Sequence, residues 1–276
     1  MTPAGTLALL HTSPVHVPVF DALRDRHHPG LVLRHLVDEE LLVRAREAGP
    51  GAVAGSVAAV LAGAVADGAD AVLCTCSTLG AVAEDAAASL GVPVLRVDRP
   101  MAAEAARARR IVVVAVLRST LEPTVALLAE ESLPTEESPP TEEAPPPEEA
   151  LSPEESRWQP SPVTTVVVEG AWERFEAGDR EGYLDAVAEA VDRVPVTAGG
   201  VVVLAQASMA DAAGRTSTPM PVLSSPRPGL AAAAKAAGAG AAGRGRPEGP
   251  VRRAPGAPSR HPGKRRSDRP DERRGL

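Results

Sequence analysis

Residues 74–78 read Cys-Thr-Cys-Ser-Thr, two thiols and three hydroxyls within five positions, in a chain of 276 residues that holds only two cysteines. Of these side chains the thiol has the widest chemistry. As thiolate it takes a proton from, or returns one to, a carbon next to a carboxylate, or it adds to an electrophilic carbon. Hydroxyls and backbone N–H groups at helix N-termini suit the carboxylate and enolate oxygens that such chemistry involves. Neither reaction requires a metal or an organic cofactor. Cys76 is the candidate reactive group, weighed against the alternative of a small buried residue, since free cysteine is commonly buried. Cys74 shares its strand face but lies two residues deeper, where core packing is expected. A zinc site is not expected, because no second cysteine pair or spaced histidines accompany the two thiols.

The elements that must position this stretch follow from its flanks. Ala71-Val72-Leu73-Cys74 is a short apolar run after Asp70, which reads as a buried parallel strand, and a helix is expected from about Thr78 to Leu90. Cys76 then faces a helix N-terminus, a place that favours thiolate and is expected to lower the pKa below its usual ~8.5. Upstream, Thr6 to Leu10 is an apolar strand running into His11-Thr12-Ser13-Pro14, a helix spans Val15 to Arg26, and a second strand, 31–37, ends at Asp38. Helices are expected over 39–48 and 52–67, and a fourth strand over 91–97.

From Arg110 the pattern returns. Ile111 to Leu117 is a strand followed by Arg118-Ser119-Thr120, Val163 to Val168 ends at Glu169 where the first copy has Asp38, and Val201 to Leu204 runs into Ala205-Gln206-Ala207-Ser208. Pro221 to Pro228 repeats the spacing of Pro93 to Pro100. A tandem duplication of one strand-helix unit is the simplest account. The predicted fold is α/β: two pseudo-symmetric parallel-sheet domains with helices on both faces and an active-site cleft between them. The first domain is placed at 1–98, with a C-terminal helix at 228–237 returning to it, and the second at 99–227. Strand ends carry Thr12, Ser13, Asp38, Cys76, Ser77, Thr78, Ser119, Thr120, Glu169 and Ser208, and ligands of open α/β sheets bind at those ends. His11 closes the first strand, either in a hydrogen-bonded structural role or as a catalytic group. Asp38 and Glu169 are equally explained as helix caps or as site carboxylates. No Gly-rich phosphate fingerprint follows the first strand, so a nucleotide site is not expected.

Composition limits the remaining classes. Aromatic residues make up 2% against 44% apolar, so the cores must be built from Ala, Val and Leu. The net charge of -7 hides two opposed blocks: ten Glu and no basic residue from Glu130 to Glu155, and eleven Lys or Arg against four acids from Arg244 to Arg274. Residues 131–162 read as a disordered Glu/Pro-rich insertion with Glu-Glu every six positions, and 238–276 as a disordered basic tail. Without aromatics for stacking, the tail predicts no specific nucleic-acid partner. No transmembrane segment or leader is expected, and the location is read as cytoplasmic.

The duplicated architecture and Asp70-Ala71-Val72-Leu73-Cys74-Thr75-Cys76-Ser77-Thr78 resemble the aspartate/glutamate racemase superfamily, whose first catalytic motif is Cys-Asn-Thr. Cys76, Ser77 and Thr78 fall on those positions, with Ser77 replacing Asn. Hydantoin racemase, maleate isomerase and arylmalonate decarboxylase are relatives. The resemblance implies a cofactor-independent isomerase or lyase acting on a small carboxylic acid, with Cys76 catalytic and Thr12, Ser13, Ser77, Thr78, Ser119, Thr120 and Ser208 holding oxygens. It also implies a frequent homodimer, although the residues leave oligomeric state open. Racemases of the family carry a second Cys at the mirrored position. Here that stretch offers Gln206 or Ala207, with no thiol either way. The alternative is therefore a non-catalytic carboxylate-binding protein that has lost the reaction.

Overall fold

Strand β1 (Thr6–His11) is followed by helix α1 (His16–His27), β2 (Val32–Val37), α2 (Glu39–Ala48), α3 (Ala54–Ala66) and β3 (Ala71–Cys74). Then come α4 (Gly80–Asp85), α5 (Ala87–Leu90), β4 (Val94–Arg96) and α6 (Arg99–Ala105). The second half runs β5 (Arg110–Ala115), α7 (Leu121–Glu131), β6 (Val163–Val167), α8 (Ala171–Glu176), α9 (Arg180–Asp192), β7 (Gly200–Leu204), β8 (Val222–Ser224) and α10 (Pro226–Gly243). This computed structural model describes residues 5–133 and 161–243. Of the expected insertion only its first three and last two residues fall among them, and of the expected tail only 238–243.

Two four-stranded sheets result, ordered β2-β1-β3-β4 and β6-β5-β7-β8, with every neighbouring pair parallel. The central strands are unbroken apolar runs because both of their faces are covered: Leu7 to Leu10, Val113 to Ala115 and Val202 to Leu204 are wholly buried. On the first sheet, Leu41, Val57, Leu61 and Ala83 from α2, α3 and α4 pack one face, and Phe20 of α1 with Leu230, Ala233 and Ala237 of α10 pack the other. On the second, α8 and α9 take one face through Ala171, Leu184 and Val187, and α6 and α7 the other through Met101, Leu127 and Leu128.

The small side chains predicted from composition act in α10. A Cβ on Gly240 would lie 2.6 Å from the Asp70 carbonyl oxygen, and one on Gly5 would lie 2.6 Å from Ala237 O, so helix and sheet touch backbone to backbone. This helix runs to Gly243, six residues past the end expected at 237, because its Ala-rich stretch keeps packing along the first sheet. The helix expected over Thr78 to Leu90 is instead a 3-10 turn at Ser77–Leu79 followed by α4 and α5. Its start tightens because the Leu79 N–H donates to the Cys76 carbonyl at 3.1 Å, an i to i+3 bond.

Backbone register fixes which residues of the halves correspond. Leu10 pairs with Cys74 and Val114 with Leu204, and the amides of Thr75 and Ala205 donate to Leu10 and Val114 respectively. Counting on, Cys76 matches Gln206. The Asp38 amide donates to His11 O and the Val168 amide to Ala115 O, both at 2.9 Å. Asp38 therefore matches Val168, and Glu169, read as its counterpart, lies one residue beyond.

Candidate active site

Past the end of β3 the chain stays extended through Cys76 (φ −102°, ψ 114°) and then closes into the 3-10 turn. What fixes that exit is Thr75. Its hydroxyl donates to the Leu10 carbonyl at 3.0 Å and accepts at 2.8 Å from Nδ1 of His11. Nε2 of His11 accepts in turn from Nδ1 of His35 at 2.8 Å, and His35 Nε2 faces Asp21 Oδ1 at 3.4 Å. His11 is fully buried, and burial holds its pKa down at about 3, with the His35 and His16 rings adding to the effect. It is a neutral internal strut and does not line the pocket.

The far side of the turn rests on Arg96. Its guanidinium makes two bonds to Asp98, Nε to Oδ1 at 2.7 Å and Nη2 to Oδ2 at 3.0 Å, and both side chains are buried. Nη2 also approaches the Ser77 carbonyl at 3.4 Å, and a Cβ on Gly80 would lie 2.7 Å from Nε, so only glycine lets the turn settle on this cation. Ser77 Oγ donates to the Ala205 carbonyl at 3.0 Å, which ties the two halves together beside the pocket.

The pocket between the halves is lined by Thr12, Ser13, His16, Leu42, Thr75, Cys76, Ser77 and Thr78 from the first, and by Leu117, Thr120, Trp172, Phe175, Gln206, Ala207 and Ser208 from the second. Its volume is about 70 Å³. At about 10–15 Å³ per water this is room for a few waters or a small acid. Seven of the ten strand-end residues singled out above converge here. Asp38, Ser119 and Glu169 do not. Asp38 caps α2, accepting from the Leu41 amide at 3.2 Å, Glu169 pairs with Arg118 at the exposed surface, and Ser119 is solvent-facing.

Cys76 is half-buried in this pocket. Burial raises its pKa, opposed by hydrogen bonds from the Thr12 hydroxyl, the Leu79 and Thr78 amides and the Thr78 hydroxyl. This corrects the expected lowering: α4 is only six residues long and begins four residues after the thiol, so it adds little field, while desolvation acts directly. Cys74 is fully buried with its Sγ 3.6 Å from the Cys76 carbonyl, and burial raises its pKa as well. Opposite Cys76, Gln206 has the same extended conformation (φ −125°, ψ 140°) at the start of its own 3-10 turn, and its Oε1 accepts from the Val116 amide at 2.8 Å.

One wall of the pocket is apolar, and the sequence reading missed it. Trp172 stacks on Phe175 at 5.0 Å between centroids, Phe175 meets Tyr183 at 5.2 Å, and the Tyr183 hydroxyl bonds Ser208 Oγ at 2.8 Å. Arg46 from the first half lies 6.0 Å over the Trp172 ring. Three of the chain's five aromatic residues thus gather at one place. That scarcity was the available signal, since Trp and Phe three apart on a helix share a face.

No protein-family model matches the chain, and no curated protein matches it. Solved structures do. An Asp/Glu racemase assignment accompanies a Yersinia pestis structure that overlays with a TM-score of 0.56 at 15% identity, over 84% of this chain and 99% of that one. Its fold is that of the aspartate/glutamate racemases. A double variant of arylmalonate decarboxylase in liganded form, with one Gly replaced by Cys and one Cys by Ser, shares the racemase fold at TM-score 0.53 and 19% identity, covering 85% of this chain and 93% of that one. Glutamate racemase from Thermus thermophilus, in complex with β-chloro-D-alanine, gives TM-score 0.53 and 17% identity over 86% and 81%. Among the described residues no helix is long and apolar enough to cross a membrane.

Proposed function

We propose that this chain is an enzyme of the racemase superfamily, an isomerase or lyase that handles a proton at a carbon next to the carboxylate of a small acid. The observation that carries the reading is a thiol past the end of a strand in a duplicated fold, Cys76 half-buried in the pocket between the two halves, with Gln206 and no second thiol at the mirrored position. The neighbours include a glutamate racemase and an arylmalonate decarboxylase, proteins named for small acids, and the pocket has room for a small acid.

Because burial favours its protonated form, Cys76 enters the cycle as a thiol and delivers its proton to an enolate carbon. The amide and hydroxyl of Thr78, with Thr12, Ser13, Thr120 and Ser208, supply donors for carboxylate and enolate oxygens. The Trp172 and Phe175 wall takes the substrate's apolar part. The only thiol among the lining residues stands on one side of the pocket, so Cys76 delivers its proton from that side.

The test is proton-exchange NMR in D2O against a panel of amino acids, hydantoins and malonates. Incorporation of deuterium next to the carboxylate, lost in Cys76→Ser, supports the reading. Saturable binding of an acid with no exchange over long incubation would instead mark a binding protein.

A further inference from the structure

We propose that His16 is a second catalytic residue of this pocket, the base that receives the proton leaving the substrate carbon. The inference rests on the one-thiol reading above and supplies the partner that reading lacks. Of the fifteen lining residues, only Cys76 and His16 carry an acid or base group suited to proton transfer, a thiol and an imidazole; the others are hydroxyls, apolar groups and the amide of Gln206. His16 is the first residue of α1, set down by a turn in which its amide donates to the Ser13 carbonyl. Its ring stacks toward His11 with centroids 6.2 Å apart and planes 30° apart. Among the described residues neither ring nitrogen has a hydrogen-bond partner, although the neighbouring His11 has both of its nitrogens engaged. An imidazole that lines a polar pocket and keeps both ring nitrogens unpartnered among the described residues is equipped to accept a proton from a bound molecule.

The proton states agree with that role. Burial lowers the His16 pKa to about 4, so at neutral pH the ring is an unprotonated base, while Cys76 is an undissociated acid. In the forward step the C–H bond next to the carboxylate breaks, its proton passes to a ring nitrogen of His16, and its electron pair enters the enolate. The Cys76 S–H bond then breaks and its proton forms a new C–H bond. The proton on His16 passes through pocket water to the thiolate, and both groups return to their starting state with no net proton consumed.

His16→Gln keeps a polar side chain of similar reach and removes the base. In the D2O exchange assay we expect it to slow deuterium incorporation by at least about 100-fold, the low end of what general acid–base catalysis contributes, while the dissociation constant of the acid moves by no more than a few-fold. Should this variant misfold, the His16 ring resonance of the unaltered protein is followed during titration with malonate, L-aspartate and L-glutamate, and it should shift. Exchange that Cys76→Ser abolishes and His16→Gln leaves within a few-fold overturns this proposal alone. A His16 resonance unmoved by every acid also overturns it, and absence of exchange in the unaltered protein overturns it together with the thiol reading.

Discussion

A thiol that must surrender its proton inside a half-buried pocket behaves differently from one in water, and alkylation can measure the difference. With its pKa raised by burial, Cys76 should react with iodoacetamide slowly at pH 7, its rate rising only above the range of an ordinary thiol near 8.5. Fast labelling at neutral pH would show that the hydrogen bonds from Thr12, Thr78 and Leu79 outweigh desolvation. Cys76→Ser should lower exchange at the substrate carbon by about 10²-fold or more. Seven of the ten polar residues at strand ends were legible in the sequence as pocket residues, because an apolar run must end and the residues just past it lie at the carboxyl edge of the sheet; Asp38, Ser119 and Glu169 lie at that edge and turn elsewhere. Trp172, Phe175 and His16 were not: each sits on a helix, and which helical face meets the pocket depends on packing angles that periodicity alone leaves free.

The turn bearing Cys76 is held from two directions, by Thr75 on the His11 side and by Arg96 on the other. Asp98→Ala would strand a buried guanidinium and should cost about 3–5 kcal/mol in a denaturant titration. Thr75→Val removes an acceptor from His11 and should cost about 1–3 kcal/mol by leaving a buried donor unpaired. An unchanged unfolding midpoint in either variant would show that the turn stands without that support. Strand positions and the sheet type were legible because continuous Val, Leu and Ala runs demand covered faces. The pairing of Asp38 with Glu169 failed by one residue, since polarity after a strand marks its end less sharply than hydrogen-bond register does. The Arg96 to Asp98 clamp had no signature beyond two charges in an apolar context.

Over the whole molecule, His11 and His16 make stability depend on pH. Their folded-state pKa values, about 3 and about 4, lie below the ordinary 6.5, so the unfolded chain binds these protons first. The stabilisation is complete above pH 6.5 and is lost as pH falls from there toward 4, at up to about 1.4 kcal/mol per pH unit for each ring. Denaturant midpoints at pH 7, 6 and 5 should fall in that order. Midpoints that hold steady would mean that the rings are protonated in the folded state. The two-sheet architecture was legible because the same polar and apolar pattern occurs twice. The reach of α10 back to the first sheet was only partly so, because alanine-rich sequence states helix without stating which surface it will cover. That arrangement has a consequence in time. Leu7 and Leu9 are made early in synthesis, yet the helix that completes the cover over them is encoded more than two hundred residues later, so during translation the nascent first half waits with that face covered by α1 alone. It is at that stage, rather than after release, that chaperone capture or self-association would be decided.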